Sequence, residues 1–69
     1  MYLNLKAEMA RKSITQQNIA KVLKMNVSTL NERLNGKSDF KLKECKKIKE
    51  FFFPESTLEY LFEIKKIVN

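Results

Sequence analysis

One glycine and one proline, Gly36 and Pro54, are the only such residues in the 69 of this chain. A β-fold turns every few residues, and its turns draw heavily on both types. Their scarcity points instead to helices joined by short connections, an all-α fold in which five helices can be read.

The first helix is expected over about 3–12, where Leu5 and Met9 lie one turn apart among good helix formers. The second starts after Thr15, whose hydroxyl can accept a bond from a free backbone N–H; Asn18 stands where a capping box carries Glu or Gln. Its apolar residues are Ile19, Ala20 and Leu23. A third follows Met25 with Asn26 as N-cap, faces inward through Leu30 and Leu34, and stops at Asn35 and Gly36. The fourth, about 41–52, carries the stripe Leu42, Cys45, Ile48 and Phe52, with its lysines largely off it. Pro54 ends it, and Ser56 or Thr57 caps a fifth whose apolar face is Leu58, Leu61 and Phe62. The tail EIKKIVN either extends that helix or frays.

Several functions are disfavoured on composition. The chain has 14 Lys+Arg against 8 Asp+Glu, no His and one Cys, for a net charge of +6. In so small a domain this charge favours an anionic partner, with nucleic acid and an acidic membrane surface as the first candidates. Intramolecular disulfides and the usual structural zinc sites are excluded, and no cofactor is expected. No nucleophile–base set or carboxylate pair suggests an enzyme, and no small-molecule substrate is expected. No apolar run approaches the roughly 18 residues of a membrane span, and the N-terminus has no secretory stretch, so a cytoplasmic protein without a membrane partner is expected. A chain this short buries only about 60% of its unfolded surface, so self-association is a plausible source of added stability.

The informative segment is TQQNIAKVLKMNVSTLNERLNG. Two short helices are joined by about three residues, 24–26. Where two helices cross steeply their backbones come close, and Ala20 is the small side chain such a crossing admits. Ile19, Leu23, Met25 and Leu30 would fill the wedge around it, forming an αα-corner.

In order and spacing, ITQQNIAKVL, STLNERLNGK and LEYLFE together resemble the lambda-repressor-like, or Xre/Cro, family of phage and bacterial regulators, from about Leu5 to Glu63. The resemblance implies a single five-helix DNA-binding domain with a helix-turn-helix at about 15–35, acting as a homodimer on duplex DNA. It implies that the third helix lies in the major groove. Its outward residues Asn26, Val27, Ser28, Asn31, Glu32 and Asn35 would then read bases. Asn31 suits adenine N6/N7, Glu32 suits cytosine N4 and Val27 suits a thymine methyl. Gln16 and Gln17, in the first turn of the second helix, would meet phosphate, and Arg11, Arg33, Lys37, Ser38, Lys41 and Lys43 would grip the flanking backbone. The implied role is repression of a phage or mobile-element promoter. A rival reading keeps the fold without DNA binding, as an antirepressor or antitoxin-like interaction module.

Three departures from the family pattern carry expectations of their own. Lys24 stands where a left-handed Gly is usual, at a cost of about 1 kcal/mol. Arg33 takes an aliphatic core position, so its stem is expected to cover the core while its head reaches outward. Lys41 replaces a capping Ser or Thr, leaving Asp39 as the expected cap. Among the seven aromatics, Phe52 and Phe62 are expected in the core. Phe51, Phe53 or Tyr60 are expected to form an exposed apolar patch fit for a dimer interface. Cys45 is expected to be packed in the core.

Overall fold

Two helix starts follow from short polar side chains. Thr15 is extended, and its Oγ1 accepts from Asn18 N at 3.1 Å while Asn18 Oδ1 accepts from Thr15 N at 2.9 Å. This is a reciprocal capping box with Asn in the usual Glu/Gln position. Thr57, not Ser56, caps the last helix by accepting from Tyr60 N at 3.0 Å. The computed structural model describes residues 2–64, and among them the chain forms five helices and no strand. They are α1 Leu3–Arg11, α2 Gln16–Leu23, α3 Val27–Leu34, α4 Leu42–Phe52 and α5 Leu58–Leu61. The fifth helix stops at Leu61; the rest of the tail expectation, 65–69, lies outside the described residues. No helix of the described residues is long and apolar enough to cross a membrane.

The ends of α1, α2 and α3 share one device. Ile14 N donates to Met9 O at 2.8 Å, Met25 N to Ala20 O at 3.1 Å, and Lys37 N to Glu32 O at 2.9 Å. Inside each of these loops a shorter bond closes: Ser13 N to Ala10 O, Lys24 N to Lys21 O, and Gly36 N to Arg33 O. These are three Schellman motifs, each needing one left-handed residue. Those residues are Ser13 (φ 57°), Lys24 (φ 57°) and Gly36 (φ 80°). Only the third is a glycine, so the first two hold a conformation that a Cβ disfavours.

The core draws on every helix: Leu5 and Met9 of α1, Ile19 and Ala20 of α2, Leu30 and Leu34 of α3, Ile48 of α4 and Leu61 of α5. Packing brings α2 against both α3 and α4, and α5 against α1 and α4. Tyr2, Phe40 and Phe62 meet edge to face, with ring centroids 5.3–5.9 Å apart, a favourable aromatic geometry. Asn4 is the buried polar residue of α1, and its Nδ2 donates to Tyr60 O at 2.8 Å and Glu63 Oε1 at 3.1 Å. These bonds fasten α1 to α5 and satisfy an amide that burial would otherwise penalise.

Several sequence expectations give way here. Phe53, expected at the surface, is fully buried, while Phe52 and Phe62 are half-buried. Phe53 follows the last residue of α4 and has left helical geometry (φ −137°, ψ 57°), so the helical period no longer tells where its ring goes. Leu42, placed on the stripe of α4, is 65% exposed at the first residue of the helix, and Cys45 is only half-buried. Phe51 and Tyr60 are exposed as expected. Leu42 and Phe51 are nine positions apart, about two and a half turns, so they lie on opposite sides of α4 and share no patch. Asp39 does not cap α4; Glu44 Oε1 accepts from Lys41 N at 2.9 Å instead. Asn26 occupies the N-cap position of α3 without capping it through its side chain.

Candidate nucleic-acid interface

The surface on which the sequence expectation centres is built by α2, α3 and their connection. Ala20 is 3% exposed, and α2 packs on α3 across the connection Lys24, Met25 and Asn26. The Schellman bonds fix that connection, since Met25 N reaches back to the carbonyl of Ala20 itself. Leu30 and Leu34, four apart, are fully buried. With one stripe of α3 anchored, the opposite stripe must face solvent. Asn26, Val27, Ser28, Asn31, Glu32 and Asn35 are all exposed, and Thr29 between them is half-buried. Val27, at 40% exposure, is an apolar side chain standing among polar ones.

A row of amides crosses this face. Asn35 Nδ2 donates to Asn31 Oδ1 at 2.9 Å, and Asn31 Nδ2 reaches Gln16 Oε1 at 3.4 Å. Gln16 thus joins α2 to the middle of α3, whereas Gln17 is simply exposed. At the other end Lys6 Nζ donates to Asn35 Oδ1 at 3.2 Å. No local pattern marks Lys6 as part of this face. It lies 29 positions from Asn35, on a helix whose pattern marks only its buried side.

The cations expected to flank this face divide into two groups. Lys37, Lys41 and Lys43 are exposed, form no ion pair among the described residues, and Ser38 beside them is half-buried. Arg11 is exposed but bonded to Glu8 at 2.6 Å, and Tyr60 Oη donates to the same carboxylate at 3.0 Å. The bonds from Arg11 and then Tyr60 hold the Glu8 carboxyl below its ordinary 4.5. Lys12, next to Arg11, donates to Glu55 and to Phe52 O and lies over the Phe53 ring.

Arg33 departs from its expected place. Its Nη1 donates at 2.8 Å to both Glu44 Oε1 and Asp39 O, and the pair with Glu44 is 16% exposed on each side. The head therefore turns along the protein toward the start of α4, because Glu44 offers a carboxylate within reach of its stem. Its Nε is buried without a partner among the described residues. Glu44 was not expected to matter, and it serves twice, pairing with Arg33 and capping Lys41.

Comparison of the chain with protein-family models, with curated proteins and with solved structures gives no match.

Proposed function

We propose that the chain is a sequence-specific regulator of transcription that binds duplex DNA. In this reading, the segment 15–35 is a helix-turn-helix within a lambda-repressor-like domain, and α3 enters the major groove. The observation that carries the reading is the division of α3. Leu30 and Leu34 anchor it, while Val27, Ser28, Asn31, Glu32 and Asn35 stand outward. That outward set holds amide, carboxylate, hydroxyl and methyl groups, the chemistry that distinguishes base edges in the major groove. Exposed Lys37, Lys41 and Lys43 follow it and suit the phosphates alongside, and the net charge of +6 favours the encounter. A single module of this size makes a small interface, so a homodimer on an inverted repeat is the expected form, repressing a phage or mobile-element promoter.

Selection of bound sites from random duplex DNA with the purified protein tests this. An inverted repeat, with affinity falling steeply as salt rises, supports it. Recovery of no motif by the folded protein, at any salt, refutes it and leaves a protein-interaction module as the reading.

A further inference from the structure

The amide row on the outer face has a direction. An asparagine or glutamine amide can be turned either way, since its oxygen accepts and its nitrogen donates. A lysine ammonium can only donate. Lys6 Nζ lies 3.2 Å from Asn35, so the oxygen of that amide must face it. Asn35 then turns its Nδ2 toward Asn31 at 2.9 Å, which commits Asn31 to face it with Oδ1. Asn31 in turn presents Nδ2 to Gln16 Oε1 at 3.4 Å. The Nε2 end of Gln16 is left facing away from Asn31.

We infer that Lys6 is a positioning residue that sets the polarity of all three amides and so fixes which way the face can read a base pair. Each amide oxygen has two lone pairs and each amide nitrogen two hydrogens. The row uses one of each at Asn31. One acceptor site on the Asn35 side and one donor site on the Gln16 side remain. Adenine presents the matching pair in the major groove, an N6–H donor and the N7 acceptor. An amide held in one orientation meets that pair in one order across the groove. It therefore favours A·T over T·A at that step, whereas a free amide would serve both by turning over. At the far end, the same polarity makes Gln16 a donor, which suits a phosphate oxygen.

The DNA half of this inference rests on the major-groove reading above; the amide half does not. Two measurements keep them apart. In the free protein, the side-chain NH₂ resonances of Asn35, Asn31 and Gln16 are recorded by NMR in wild type, Lys6→Met, Lys6→Gln and Lys6→Arg. Circular dichroism melts check that each variant is folded. Lys6→Met and Lys6→Gln are expected to move all three sets, because neither substitution forces an oxygen toward it. Lys6→Arg, again donor-only, is expected to restore them. Shifts confined to Asn35 overturn the relay. Site selection is then repeated with Lys6→Met. A preference at one base pair that drops by about fivefold or more, the loss expected for one amide–base pairing, with the rest of the motif intact, supports the reading role. Uniform weakening at every position, with a shallower salt dependence, makes Lys6 a phosphate contact and overturns it. Absence of any site preference in wild type defeats the proposed function, while the resonances still decide the relay.

Discussion

Replacing Lys24 by Gly is expected to stabilise this protein by about 1 kcal/mol. Lys24 sits at φ 57°, ψ 46°, where its Cβ crowds the following carbonyl. Such a conformation costs a non-glycine residue roughly 1–2 kcal/mol. Glycine relieves that cost but loses more chain entropy on folding, by about 0.5–1 kcal/mol. The favourable difference is small because the two terms oppose each other. Ser13, at the same φ of 57°, is a second instance. Gly36 supplies the reverse experiment: a Cβ built there meets no atom within 4 Å, so Gly36→Ala tests conformation alone, at φ 80°. It is expected to cost about 1 kcal/mol. For a domain of this length each kcal/mol moves the melting midpoint by roughly 4–8 °C. Ser13 and Lys24 end different helices and share no hydrogen-bond partner, so their gains should add to about 2 kcal/mol. Thermal and urea melts followed at 222 nm compare wild type with Lys24→Gly, Ser13→Gly, the two combined, and Gly36→Ala. If Lys24→Gly is neutral or destabilising while Gly36→Ala still costs its share, the strain argument for Lys24 is wrong.

Other perturbations follow from the same geometry. Glu8 and Glu55 have carboxyls held below 4.5, by Arg11 and by Lys12 respectively. The unfolded chain therefore takes up these protons first, and the stability they contribute, full above about pH 5, is lost as pH falls through the depressed values. Glu8→Gln should melt with a shallower dependence on pH between about 5 and 3 than wild type, and an identical slope would contradict the assignment. Glu44→Ala removes both the partner of Arg33 and the cap on Lys41, and about 2 kcal/mol should be lost in urea melts. Arg33→Met should cost less, since Glu44 keeps its bond to Lys41 N and the orphaned Nε disappears. On DNA, Asn31→Ala should relax sequence preference at one position, whereas Lys37→Ala should weaken binding to all sequences alike, as read by site selection and salt titration. A footprint untouched by Asn31→Ala would remove that residue from the reading set.

What was legible in the sequence was what short-range chemistry decides. Thr15 with Asn18, and Thr57, announce helix starts because a side chain three residues away closes the bond. Leu30 and Leu34 reveal the buried stripe of α3, and by subtraction its outward residues. Ala20 marks a close approach by its size alone. Long-range or off-period features were hidden. Phe53 stands one residue beyond a helix, where the period stops informing. Arg33 suggests an outward reach because nothing local shows that Glu44, 11 positions on, will come within 2.8 Å. Asp39 was the expected cap by residue type, yet a longer acid one turn inside α4 supplied the bond. Lys6 entered the candidate face only through the reach of its side chain to Asn35, just past α3, which no pattern within α1 encodes.

The bonds from Asn4 to Tyr60 O and from Tyr60 Oη to Glu8 span 56 and 52 positions. A ribosome releases α1 first and α5 last, so the first helix leaves the exit tunnel with its apolar side bare. The corner between α2 and α3 can begin to form early from neighbouring residues, but Leu5 and Met9 wait for Leu61 before their cover is complete. The apolar side of α1 therefore stays without its full cover until α5 has been made, and such transiently bare apolar surface favours aggregation.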